Sequence, residues 1–135
     1  MPAYTPRLIE THQKYLRHRM DDDFDAAIIN ARQIVELMVA ELMNVAGLQP
    51  SQAQNKNEEN INILFQAGVI SAETKANYHQ IRMVGNRVTH NEKVSASEAE
   101  RIFGLLETEF KKFQSEYTDD VISRAKKTQE RTIPK

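Results

Sequence analysis

The run Ile81-Arg82-Met83-Val84-Gly85-Asn86-Arg87-Val88-Thr89-His90-Asn91 gathers the residue types in this chain best suited to chemistry. If the segment is helical, Arg82, Asn86 and His90 follow at intervals of four and share a band of surface, with Arg87 three residues before His90. Guanidinium groups hold phosphate, and an imidazole exchanges protons near neutral pH. Glycine and asparagine are poor helix formers, costing about 0.5–1 kcal/mol relative to alanine. Their presence asks for close helix packing at Gly85, a buried polar network, or a nucleic-acid site. The network reading is concrete. Buried polar groups must be paired, and Glu36 or Glu41 on a neighbouring helix could serve as the acceptor.

The remaining candidates point elsewhere. His12 and His18 are six apart and do not share a helical face as metal ligands would, and His79 is expected at an edge or exposed. Ser95 and Ser97 precede a helix with no matching histidine, so capping explains them better than nucleophilic catalysis. The chain contains no H-E-x-x-H, glycine-rich phosphate loop or nucleophile elbow. No metal and no cofactor are expected.

Positioning these residues falls to helices. The four glycines and four prolines leave few obligatory breaks. Phe24, Ile28, Ala31, Val35, Met38, Leu42 and Val45 alternate spacings of four and three, which predicts a long helix over about 23–46, widened by Ala27, Ile34, Leu37, Val39, Ala40 and Met43. Asp21, Asp22, Asp23 and Asp25 at its start are read as capping carboxylates rather than metal ligands, and Gly47 as its stop. A polar loop follows around Pro50, then a short helix through Ile61, Leu64 and Phe65, ending near Gly68. Ser71 opens a helix over about 72–91 with Ala76, Ile81, Val84 and Val88 inward. Ser95 and Glu98 form a capping box for a third long helix with the stripe Ala99, Ile102 or Phe103, Leu106, Phe110, Phe113 and Tyr117. An earlier helix, about 6–20, offers Ile9, Leu16 and Met20 to the core. With no period-two alternation, the expected fold is an all-α, antiparallel up-and-down bundle of four to five helices. It spans 1–117, with 118–135 a basic C-terminal helix or tail.

At 135 residues the chain is long enough for one domain with a genuine core. It has no cysteine, no run of about 18 apolar residues and no signal-like N-terminus, so a cytoplasmic setting without membrane contact is expected. Eighteen basic residues meet nineteen acidic ones, unevenly placed. Arg7, Lys14, Arg17 and Arg19 against Glu10 leave residues 1–20 at +3, residues 118–135 stand at +2, and the middle carries −6. An acidic middle argues against gripping a long phosphate backbone along the body of the domain.

The segment 72–113, through Ile81-Arg82-x-x-Gly85-Asn86-x-x-x-His90 and then Ser95-x-x-Glu98-Ala99, resembles the HEPN superfamily, in particular an uncharacterised bacterial and phage branch with an I-R-x-x-G-N-x-x-x-H signature. The upstream pattern Ala26-x-x-x-Asn30-Ala31-Arg32-x-x-x-Glu36 and then Ile63-Leu64-x-x-x-Gly68-Val69-Ile70 is similar in order and spacing, so the resemblance covers about 20–115. It implies a helical bundle that dimerises and either cleaves RNA without a metal or acts as a nucleotide-associated partner. In the ribonuclease members an arginine precedes the polar residue. Here Asn86 fills the polar position and His90 the histidine, but Gly85 stands where the arginine belongs. Arg82 and Arg87 flank the gap without the family spacing, as the candidates for nucleic-acid or phosphate binding.

Metal-free phosphodiester cleavage needs charge stabilisation and proton transfer in one geometry. The missing arginine therefore favours a non-catalytic, dimeric HEPN-like interaction module acting through protein contacts or weak binding of RNA or nucleotide. One alternative is a metal-independent endoribonuclease of a toxin or phage-defence system, with His90 as acid/base and Asn86 orienting. A second is a structural helical adaptor in which Gly85 and Glu36 serve helix packing. The homodimer expectation rests on the broad apolar surface of helix 23–46, and a partner protein is a further candidate.

Overall fold

A computed structural model describes residues 6–116 as five helices: α1 (Pro6–Met20), α2 (Phe24–Ala46), α3 (Lys56–Gln66), α4 (Ala72–Thr89) and α5 (Ala96–Glu116). No strand occurs among the described residues, and the fold is an all-α helical bundle. Tyr117 and the basic segment 118–135 lie outside the described residues.

Each of the first four helices stops in the same way. A residue in the left-handed region follows it, namely Asp22 (φ 55°), Gly47 (φ 69°), Gly68 (φ 78°) and Asn91 (φ 63°). Around each, paired backbone bonds close the last turn, as in Leu48 N–H to Met43 C=O (2.9 Å) with Gly47 N–H to Asn44 C=O (3.1 Å). This is the Schellman arrangement, which satisfies carbonyls that a helix end leaves free. Glycine adopts the left-handed conformation without a Cβ penalty, and aspartate and asparagine tolerate it better than other side chains. Asp22 therefore ends α1 instead of capping α2. Asp23 caps α2, its carboxylate accepting from Ala26 N–H at 3.3 Å. Ser71 and Ser95 do the same for α4 and α5, each accepting at 3.1 Å, from Thr74 N–H and Glu98 N–H. Only half of the expected capping box at Ser95 forms, because the Glu98 carboxylate is drawn to Arg87 at 2.9 Å.

Helix α2 is central and packs against all four others. Its stripe is buried from Ala27 through Ala46, and the α5 stripe Ala99, Ile102, Phe103, Leu106, Phe110 and Phe113 is buried as the spacing predicts. Burying side chains of this size stabilises by roughly 1.5–3 kcal/mol each. Most of the width of the α2 surface is used up inside the chain. It is covered by α1, α3, α4 and α5 except at Ala40, which is exposed, and Leu37, which is half-buried, so little of it is left for a second copy.

α1 departs from expectation. Leu8 and Tyr15 are its buried residues, whereas Ile9, Leu16 and Met20 are exposed, Met20 by 84%. One residue is about 100° of helix, so choosing Leu8 over Ile9 turns the whole stripe outward. Aromatic packing decides the choice. Tyr15 meets the Phe103 ring edge-on at 5.7 Å, and His12 stacks on Phe110 at 4.0 Å. Arg19 lies over Phe103 at 4.8 Å and pairs with Glu107 and Glu100 on α5. Burial pushes the Tyr15 phenol up to about 12. In α3, Ile61 and Leu64 are buried as expected, but Phe65 stays partly exposed under the Lys75 ammonium, 4.6 Å from its ring centre.

Burial lowers the pKa of His12, with Glu107 opposing in part, and burial with Arg82 lowers that of His79. The folded chain thus favours both rings neutral. Their contribution to stability is complete above the ordinary imidazole value of 6.5 and is lost as pH falls through the lowered folded-state values. Urea unfolding is expected to show lower stability at about pH 5.5 than at about pH 7.5. The variant His12→Phe, which keeps a ring on Phe110, should narrow that gap; an unchanged gap would exonerate His12.

Candidate functional site

The polar run of α4 faces α2 and α3, and its residues go to different places. At Gly85 the two helices come so close that a Cβ built there would lie 2.6 Å from Arg32 Cβ, 3.0 Å from its Cγ and 3.1 Å from its Cδ. The Arg32 stem crosses α4 at the one position with no side chain. Beyond it, the guanidinium Nη1 donates to Asn86 Oδ1 at 2.9 Å and to Thr89 Oγ1 at 3.3 Å. Thr89 Oγ1 in turn donates to the Gly85 carbonyl at 2.9 Å. Arg32 Nε is shielded from solvent without a hydrogen-bond acceptor, its nearest countercharge being Glu36 Oε2 at 3.8 Å. Glu36 accepts from Asn57 Nδ2 of α3 at 3.0 Å. A tie between α4 and α2 exists, but it runs through Arg32 as donor and not through the expected acceptors. Glu36 lies behind Arg32, and among the described residues neither Glu36 nor Glu41 accepts from an α4 side chain.

The two candidate phosphate-binding arginines face carboxylates, Arg87 through hydrogen bonds and Arg82 at ion-pair distance only, its buried Nε having no hydrogen-bond acceptor. Arg82 Nη2 sits 4.0 Å from Glu58 of α3, and its side chain is only 16% exposed. Arg87 reaches Glu92 at 3.2 Å and Glu98 at 2.9 Å, which fastens the α4–α5 turn. Both pairings follow from acidic residues on the adjoining elements that the α4 sequence does not display.

His90 lies at the very end of the band that Arg82 and Asn86 occupy, its N–H still bonded one turn back to the Asn86 carbonyl at 3.1 Å. α4 ends at Thr89, and His90 occupies the cap with φ −92° and ψ 22°. Its backbone N–H bonds to the carbonyls of Asn86 and Arg87, and its side chain is exposed. The left-handed Asn91 immediately after it turns the chain away. Among the described residues, no side-chain hydrogen bond or ion pair links His90 to Arg32, Arg82, Asn86 or Arg87. The other histidines serve packing, His12 on Phe110 and His79 with Nε2 3.1 Å from Asn62 Oδ1. No cluster of three or more histidine or carboxylate side chains suited to a metal occurs among the described residues.

A cleft of about 630 Å³ opens between α1 and α2. α1 presents Arg7, Glu10, Thr11 and Lys14 to it, and α2 presents Arg32, Gln33, Glu36 and Leu37. Arg32 therefore belongs to two places, the wall of this cleft and the contact with the α4 motif. Sequence reasoning did not single it out. The available signal was Arg32 and Glu36 one turn apart on α2, opposite a glycine that invites a long side chain.

No helix of the described residues is long and apolar enough to cross a membrane. Residues 14–131 match a family described as a domain of unknown function (DUF4145). Searches among curated proteins and among solved structures returned no match.

Proposed function

The chain belongs to the DUF4145 family, and we propose, from the sequence resemblance and the site geometry, that it is a HEPN-like interaction module, non-catalytic and homodimeric, acting through protein contacts or weak binding of RNA or nucleotide. One observation carries this reading: Asn86 and Arg87 are held by neighbouring elements, while His90, at the exposed helix cap, makes no side-chain hydrogen bond or ion pair with any of the cluster. A ribonuclease needs its proton-transfer group and its phosphate-holding cation within reach of one reacting centre, and small misplacements are costly. Here Asn86 is engaged by Arg32, Arg82 by Glu58 and Arg87 by Glu92 and Glu98.

Among the described residues, the outward stripe of α1 gathers three of the five exposed large apolar side chains and is the surface we assign to a second copy. Ile9, Leu16 and Met20 are exposed and spaced by seven and four, and they lie along one side of the helix. Large apolar residues arranged in this way favour contact with a partner over solvent.

Purified protein incubated with mixed RNA in the presence of a chelator is expected to leave it intact, and His90→Ala is expected to behave identically. Cleavage that disappears in His90→Ala would replace this reading with that of a metal-independent endoribonuclease. Sedimentation at tens of micromolar is expected to show a dimer that Leu16→Glu dissociates, and a strict monomer would remove the homodimeric part.

A further inference from the structure

We propose that the cleft between α1 and α2 binds a small ligand bearing a phosphate group, held by Arg7, Lys14 and Arg32. The assignment rests on the binding-module reading and gives that module a ligand class and a place.

The charge pattern comes first. Here the basic end of the chain meets its acidic body: Arg7 and Lys14, from the +3 segment 1–20, join Arg32 to set three cations against two carboxylates, Glu10 and Glu36. The cleft is locally cationic beside a body, residues 21–117, that carries −6. Such a surface repels a long polyanion and still accepts a compact one. Its volume of about 630 Å³ falls in the range of small-molecule sites, roughly 300–1,000 Å³.

The cations are also available to different degrees. Lys14 has only Glu10, 3.8 Å away on an exposed turn, a contact weak enough to be exchanged for a ligand. Arg7, exposed, has no acidic partner among the described residues. Arg7 and Lys14 are seven residues apart and share one face of α1. Arg32 is of another kind. Its stem is pinned over Gly85 and its guanidinium is held by Asn86 and Thr89, so little rotamer freedom remains to be lost on binding. Preorganisation of this sort raises affinity by reducing the cost of ordering. Gln33 and the two carboxylates add hydrogen-bonding groups beside the cations, suited to hydroxyl or amino groups attached to the phosphate.

The same chemistry could reach the cleft as free phosphate or as a phosphorylated nucleoside, and one experiment separates them. The intact chain is titrated at low salt with inorganic phosphate, adenosine 5′-monophosphate and adenosine, and followed by amide NMR shifts. Saturable binding of the two phosphates is expected, with shifts clustered on α1 and α2, and none of adenosine. Arg7→Glu and Lys14→Glu, both on the exposed face of α1, should each weaken binding at least tenfold while leaving the thermal midpoint unchanged. Monophosphate binding at least tenfold tighter than inorganic phosphate assigns the site to a nucleoside phosphate, and equal binding assigns it to the bare anion. No saturable binding of either, or binding indifferent to both variants, overturns the proposal. That failure, in a chain that still dimerises and leaves RNA intact, removes the cleft assignment alone, whereas RNA cleavage removes the module reading.

Discussion

Replacing Glu109 by alanine is expected to destabilise the fold by about 3–5 kcal/mol, the largest effect of any single polar substitution we foresee. Glu109 is fully buried in the α4–α5 interface. Its Oε1 accepts from the buried Thr74 hydroxyl at 2.8 Å and its Oε2 from Asn77 Nδ2 at 2.8 Å. Lys112 Nζ lies 3.7 Å from Oε2 and donates to Thr74 Oγ1 at 3.1 Å. Every oxygen of the carboxylate is therefore satisfied, and the charge is matched. Alanine leaves two donors without their acceptor and a mostly buried ammonium without its countercharge, and it opens a cavity. Glu109→Gln keeps the volume but sets an amide where two acceptor oxygens are required, for a smaller loss of about 1–3 kcal/mol. Denaturant midpoints measure both. An alanine variant within about 0.5 kcal/mol of the parent would mean that the network contributes specificity and no stability.

Gly85→Ala is expected to lose about 1–3 kcal/mol, the usual range for overpacking a tight contact, although alanine is the better helix former by about 1 kcal/mol. The reason is the 2.6 Å approach of the added methyl to Arg32 Cβ. That carbon is fixed to the α2 backbone and cannot rotate away, so α2 and α4 must separate, carrying the Arg32 guanidinium off Asn86 and Thr89. Gly104 supplies the control. It lies within α5, and an added Cβ there meets nothing within 4 Å. Gly104→Ala should stabilise by up to about 1 kcal/mol. If both glycines respond with the same sign in thermal unfolding, close approach is not what keeps glycine at position 85.

These two sites show how differently the sequence exposed its own logic. Gly85 announced itself, because glycine amid helix formers requires a reason and close packing was one of the three available. The residue that packs there did not. Arg32 sits in an unremarkable polar position of α2, and only the α2–α4 crossing makes it the partner of Asn86. Glu109 was invisible for a related reason. It falls among Leu106, Phe110 and Phe113, where a charge reads as the polar edge of a stripe until Thr74 and Asn77 are brought against it. His90 was legible as a residue type and less so in its setting, since the helix ends at Thr89, two residues short of expectation, and leaves it on an exposed cap. Asn91, next to it, carries the signal that ends the helix: asparagine is among the few non-glycine residues that accept the left-handed turn.

The sequence by itself determined the helices, their caps and stops, and the inward faces of α2 and α5, because these depend on periods of three and four and on side chains acting on backbone a few residues away. The tertiary structure decided what depends on a partner: that α1 buries Leu8 and Tyr15 against aromatic rings of α5, that Arg82 and Arg87 are spent on glutamates of neighbouring elements, and that Arg32 crosses the bare backbone of Gly85. A helix displays its own face in its own residues. Which side chain lies across from it, often thirty to ninety positions away, is settled only when the bundle closes.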